Sequence, residues 1–350
     1  MAVSAQSATR SVAVALPVLI VAGCLISLLS FGPRSIMGLF LAPMTEARGW
    51  SREIFALSIA IQNIMWGIGQ PFAGAIADRY GSGRVLAGGG VLYAAGLVVM
   101  AWAPSPLWLN VSAGLMIGLG MAAASFSLVL AAFGRRVPPE KRSIVFGIGT
   151  AAGSMGQFIF APFGQTLIQG FGWSEALLIL AAVTLAIPVL AIALSGKPGL
   201  EGQKIREQTF GQALSEAFSY RSYQLLTAGF FVCGFHVAFV TAHLPAFIVD
   251  RGLDPRIGAW SLALIGLFNV IGSLAAGWIG QSYSKPIFLS LIYLARAILI
   301  AAFVLLPTTP ITGRRTLKPR CHTPHPSYCT DGPRRPRQTS TRWHALPSKC

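Results

Sequence analysis

The chain is poor in charge. Only 11% of its 350 residues are Asp, Glu, Lys or Arg, and the acids are the scarcer sign, 11 against 27 Lys and Arg. Soluble domains carry about 25% charged residues, so a chain exposed to water over its whole surface is excluded. Short segments of alternating polarity are missing too, which removes a transmembrane β-barrel. The five cysteines show no disulfide or zinc spacing, and Cys24 and Cys233 read as small packing residues in apolar runs. No Ser, His and Asp share a depth. The glycine stretches GSGR (81–84) and GGG (88–90) lie in a turn and an apolar run, not after a strand, so nucleotide binding is unsupported. The expectation is a chain that is not an enzyme and needs no cofactor or metal.

What is abundant is apolar sequence. Hydrophobic residues make up 54% and the mean hydropathy is +0.63, and crossing about 30 Å of hydrocarbon takes about 20 such residues. Nine runs qualify, at 12–44, 52–77, 84–103, 107–133, 143–168, 173–194, 223–248, 257–281 and 286–306. The first is too long for a secretory signal, and further spans follow it. Twelve Lys and Arg fall on the side of the N-terminus and the even-to-odd connections, four (Arg48, Arg52, Arg251, Arg256) on the other. The positive-inside tendency then puts the N-terminus in the cytoplasm, in a multi-pass protein of the inner (plasma) membrane.

From Pro307 the character changes: residues 307–350 hold eight Pro and nine Lys or Arg against the single acid Asp331, with no apolar run. Nine spans would put this basic segment outside, against the orientation rule, and it is read as an out-of-frame, disordered tail. A basic arm for acidic partners is the functional alternative. Cys321, His322, His325 and Cys329 match no zinc spacing. The remaining positive charge follows membrane orientation and does not indicate nucleic acid.

An internal repeat appears at an offset of 203 residues. LAPMTEARGWS (41–51) aligns with LPAFIVDRGLD (244–254), matching Arg48 to Arg251 and Gly49 to Gly252, and the register continues through Ser58 with Ser261 and Gly69 with Gly272. Spans one and two thus recur as spans seven and eight, the layout of a transporter with two parallel halves. The expected organisation is a six-helix half (1–194), a polar cytoplasmic loop (195–222), an incomplete second half (223–306) and the tail (307–350).

At the end of span two, GAIADRYGSGR (74–84) places Gly74 for close helix approach, Asp78 and Arg79 at the membrane edge, and Gly81 in a turn before Arg84. This segment resembles the signature loop of the major facilitator superfamily, G-x-x-x-D-R-x-G-x-x-R. The copy after span eight keeps Gly277 and Lys285 but has Gln281 at the acidic position. The resemblance implies an all-α membrane protein of the major facilitator type, with about nine of twelve transmembrane helices present. It also implies a gating role for Gly74, Asp78, Arg79, Gly81 and Arg84.

SFGPRSIMGLF (30–40) puts a cation, Arg34, inside span one, where insertion of a charge costs at least about 2.5 kcal/mol. A guanidinium facing a water-filled cavity fits a carboxylate at two points; the alternative is snorkelling to the membrane edge. SFGPRSIMGLFLAPM (30–44), GWSREIFALSIAIQNIMWGIGQP (49–71) and AAGSMGQFIFAPFGQTLIQGFGW (151–173) are similar to bacterial relatives of monocarboxylate transporters and oxalate/formate antiporters. That resemblance implies that Arg34, directly after Pro33, holds a substrate carboxylate.

Gln62, Trp66 and Gln70 share one face of span two with Asn63 beside it, and either line a cavity or bond between helices. Gln157 and Asn269 are further candidates for the substrate, and His236 and His243 for proton coupling. Asn269 and Ser273 stand where vertebrate-type relatives carry an acid and an arginine, which puts proton coupling in doubt. The expected function is secondary transport of a small organic anion, coupled to a proton, sodium ion or counter-anion; the alternative is a non-transporting remnant or a transporter-derived sensor.

Overall fold

The computed structural model describes residues 16–195, 210–282 and 285–305. The basic tail and residues 196–209 of the polar loop lie outside the described residues, as do the readings made of them. Among the described residues there is no strand.

Span one is broken into α1 (Leu16–Ser35) and α2 (Met37–Arg48). Pro33 lacks an N–H for its helical bond, and Ile36, at φ −107° and ψ 5°, marks the break. Span two is one long helix, α3 (Arg52–Tyr80), and span three is α4 (Ser82–Trp102). Span four is irregular: α5 (Pro106–Leu109), a π-helical stretch (Asn110–Met116), α6 (Ile117–Ala123) and α7 (Phe126–Arg136). Ser125 restarts it, its hydroxyl accepting from the Leu128 amide at 3.4 Å. Span five is α8 (Pro139–Phe171), and span six is α9 (Trp173–Thr184) followed by α10 (Ala186–Ala191) and a 3-10 turn. A loop helix, α11 (Phe210–Ser219), precedes α12 (Arg221–Asp250), α13 (Pro255–Ser282) and α14 (Lys285–Leu305).

Over their described residues the nine apolar runs are therefore helical, and seven of the described helical stretches are long and apolar enough to cross a membrane. Span two, 29 residues long, is diluted by Gln62, Asn63 and Gln70.

The repeat is visible in backbone detail. Gly49 and Gly252 both adopt the left-handed region, at φ 66° and 73°, which a side chain would resist. Beyond each, an amide closes back on its helix by the same bond: Trp50 to the Thr45 carbonyl at 3.0 Å and Leu253 to the Ile248 carbonyl at 3.2 Å, a Schellman-type stop. Ser58 and Ser261 then donate to the carbonyls of Ile54 and Ile257, at 3.0 and 2.8 Å.

In lipid, burying apolar surface between helices gives little driving force, and close van der Waals packing takes over. The seam between α1 and α8 is built this way: a Cβ at Gly156 would overlap the Leu28 carbonyl oxygen, and one at Gly32 the Phe160 ring. Around it Ile26, Ile36, Phe40 and Tyr93 are fully buried. By contrast, 6% of the apolar window of α12 is buried against 44% for span one, so most of α12 lacks a covering helix among the described residues. The described residues up to Ser290 form one compact unit, which contains both repeat copies, and 291–305 belong to a second.

Candidate functional site

Arg34 sits in the last turn of α1, just before the break at Ile36. Its Nη2 donates to Asn63 Oδ1 on α3 at 2.6 Å. Asn63 is itself held, its Nδ2 donating to the Ile59 carbonyl at 2.8 Å. The guanidinium carbon lies 4.2 Å from the Trp66 ring centroid and 5.6 Å from that of Phe31, distances at which the negative ring face attracts a cation. Among the described residues no carboxylate reaches Arg34. Among the described residues its charge is met by a neutral amide and two π-faces.

Arg34 borders a narrow crevice between the two repeat copies, lined by Phe31, Ser35, Gly38, Gln62 and Asn63 on one side and by Val237, Ala238 and Thr241 of α12 on the other. Its solvent space is about 20 Å³, room for about one water. Asn63 and Trp66 are thus brought to Arg34. Gln62 touches the crevice too, but its Nε2 is committed to the Ala113 carbonyl at 2.8 Å, inside the π-helical stretch of span four. Gln70 accepts from the Ser127 hydroxyl at 3.1 Å, so of the two readings of that face, bonding between helices describes both glutamines.

The other candidates lie apart from the crevice lining. Gln157 is 1% exposed, and its Nε2 has no hydrogen-bond partner among the described residues; it packs against Gly266 of α13. Asn269 is exposed on α13. The buried Nδ1 of His236 is without a partner among the described residues, and His243 packs against the Phe239 ring at 5.0 Å.

At the far end of α3, Asp78 lies 3.6 Å from Arg135 at the end of α7. Arg135 also bonds the Ser82 hydroxyl, and Arg136 donates to the Ser195 carbonyl at 2.7 Å. Gly81 takes the turn at φ 93°. Arg79 stacks near Tyr80 at 5.5 Å, and Arg84 is exposed. Gly74 departs from expectation: a Cβ there would meet nothing within 4 Å, because no described helix packs on that face. At the opposite end, where Gly49 and Gly252 lie, Arg52 and Asp250 form a two-point ion pair between the copies, one arm 2.6 Å long.

Sequence reasoning missed three features of this region. Phe31 is one helical turn before Arg34 and could have been read from that spacing. Thr241 stands at the repeat-equivalent position of Gly38. The partnership of Arg52 with Asp250 carried no local signal.

A family model, Major Facilitator Superfamily, matches residues 23–314. The chain belongs to that superfamily. Among its relatives, monocarboxylate transporter 13 of Bos taurus is 26% identical over 71% of this chain, and monocarboxylate transporter 11 of Mus musculus is 30% identical over 74%. The uncharacterized MFS-type transporter YcxA of Bacillus subtilis is 25% identical over 80%. The chain spans 56%, 58% and 68% of the length of these three. In fold it is similar to a bacterial homolog of the human lysosomal transporter Spinster, solved inward-facing and unoccupied, with a TM-score of 0.60, 17% identity and coverage of 78% of this chain and 64% of that one. The superfamily's all-α bundle agrees with the helices described above, and these relatives are transporters rather than enzymes.

Proposed function

We propose that the chain is built to carry a small organic anion, monocarboxylate-like, across the inner (plasma) membrane by alternating access. The observation that carries this reading is Arg34: a guanidinium at a helix break, between repeat copies, whose described partners are Asn63 and two aromatic rings. A substrate carboxylate completes that site by two-point hydrogen bonding, with Asn63 and Trp66 fixing the guanidinium plane. A neutral solute has no use for it. The names of the relatives, monocarboxylate transporters 11 and 13, support the same substrate class.

In this reading the N-terminus and the Asp78 loop face the cytoplasm, and Asp78, Arg79, Gly81 and Arg84 with Arg135 hold the inner helix ends. Gln157 and Asn269 are secondary polar groups of the path. Coupling to a proton, sodium ion or counter-anion completes the cycle. For a proton, His236 is the candidate group, since it adjoins the crevice residue Val237 and keeps a buried unpaired nitrogen. A second reading, a membrane remnant or sensor that binds without transporting, is favoured by the uncovered α12.

Uptake of a labelled monocarboxylate and of its amide into proteoliposomes carrying the full chain tests the proposal, alongside Arg34→Gln and Arg34→Lys. Carboxylate uptake lost in the first variant and partly kept in the second is expected. Carboxylate binding without uptake moves the conclusion to the second reading, and unchanged uptake in Arg34→Gln refutes the site.

A further inference from the structure

The Arg34 crevice ends where α2 meets α12. A Cβ on Gly38 would overlap the Thr241 carbonyl oxygen and lie 2.9 Å from that of Ala242, so the two backbones touch with nothing between them. Beyond this contact, toward Gly49 and Gly252, is a second cavity of about 250 Å³ that Gly38 also lines.

The repeat explains the placement. At the offset of 203 residues, Gly38 is the equivalent of Thr241, so a position touches its own repeat copy. Contacts between equivalent positions fall on the pseudo-symmetry axis that relates parallel halves. The second cavity obeys the same rule: Ala42 with Pro245, Pro43 with Ala246 and Glu46 with Val249 are equivalent pairs, and all six line it. In the crevice, Arg34 pairs likewise with Val237. Both spaces therefore lie on one axis, divided at Gly38 and Thr241.

Chemistry explains why the division forms here. Pro245 has no N–H to give the carbonyl four residues before it, which is that of Thr241. The carbonyl meets Gly38 on the side where any other residue would carry Cβ, and there glycine offers a second Cα–H for a weak contact to the oxygen. We infer that Gly38 and Thr241 form the gate between the Arg34 crevice and the second cavity, that this cavity is the vestibule on the Gly49 side, and that Pro245 holds the gate shut by supplying the free carbonyl. This rests on the axial path of the proposed function but not on what Arg34 binds.

Spin labels on Ser51→Cys and Arg251→Cys, in a full chain whose native cysteines are replaced by Ser, report the separation of the copies beside the vestibule by pulsed dipolar spectroscopy. Gly38→Ala and Gly38→Val are expected to lengthen that distance progressively. Pro245→Ala, which returns an N–H to the Thr241 carbonyl, is expected to broaden it toward longer values while keeping the helix intact. Gly88→Ala, at an open position outside the gating motif, leaves it unchanged. If the Gly38 variants do not fold, Pro245→Ala decides alone. An unchanged distribution in the folded variants overturns the gate. Because the distance is read without substrate, failure of the gate is separable from failure of Arg34 as an anion site.

Discussion

Asn63→Asp is the sharpest perturbation of the Arg34 site. It keeps the shape of the side chain and the oxygen that lies 2.6 Å from Arg34 Nη2, adds a charge, and replaces the Nδ2 donor to the Ile59 carbonyl with an acceptor. Two unit charges about 4 Å apart attract by about 4 kcal/mol at an effective dielectric of about 20. Desolvation of the new carboxylate removes part of this, and a hydrogen bond to a charged group is worth about 1.5–3 kcal/mol net. A substrate carboxylate must now displace an internal one. Each 1.4 kcal/mol is tenfold in affinity, so carboxylate affinity is expected to fall about 10- to 150-fold. Thermal stability should change little, because the cation gains its counter-charge while the Ile59 carbonyl loses the Nδ2 donor. The assay is calorimetric titration of the purified full chain in nanodiscs with a monocarboxylate and, as control, its amide, paired with a melting curve. Equal carboxylate affinity in Asn63→Asp and the parent would refute the reasoning, since an anion held by Arg34 cannot ignore a carboxylate bonded to it.

Further expectations concern packing. Gly156→Val should cost about 1–3 kcal/mol or more, the usual range for overpacking, because its Cβ would overlap the Leu28 backbone oxygen, whereas Gly74→Val should leave the melting temperature in detergent unchanged. Gln62→Leu leaves the Ala113 carbonyl without its 2.8 Å donor and should lower stability by about 1–3 kcal/mol on the same melting curve, with carboxylate affinity nearly intact. Gly81→Ala forces a side chain into φ 93° and should cost about 1–2 kcal/mol, read by the same melt.

Most of the fold was legible in the sequence because a span has to satisfy its own backbone. Apolar length fixed the nine helical runs, and the turn chemistry at Gly49 and Gly252 could be matched by position alone. The site was legible in part for the same reason: Arg34 is conspicuous in hydrocarbon, and Asn63 and Trp66 lie on one helix face. Gly74 was not legible, since whether a glycine sits in a close approach depends on a neighbour that sequence spacing does not place. Gln62 and Gln70 were ambiguous, because a polar side chain in a span serves a cavity and a neighbouring carbonyl equally well until the neighbour is known.

What the sequence alone determined is local: helical spans, their breaks at proline and glycine, the repeat at an offset of 203 residues, and a buried cation without an adjacent acid. What only the tertiary structure decided is which copies of the repeat meet and where. The contact of Gly38 with Thr241 and the pairing of Arg52 with Asp250 join residues about 200 positions apart. The repeat marks Gly38 and Thr241 as equivalent but not as touching, and it does not relate Arg52 to Asp250; only the packing of one copy against the other, driven by close backbone approach in a solvent that offers no hydrophobic effect between helices, sets these contacts.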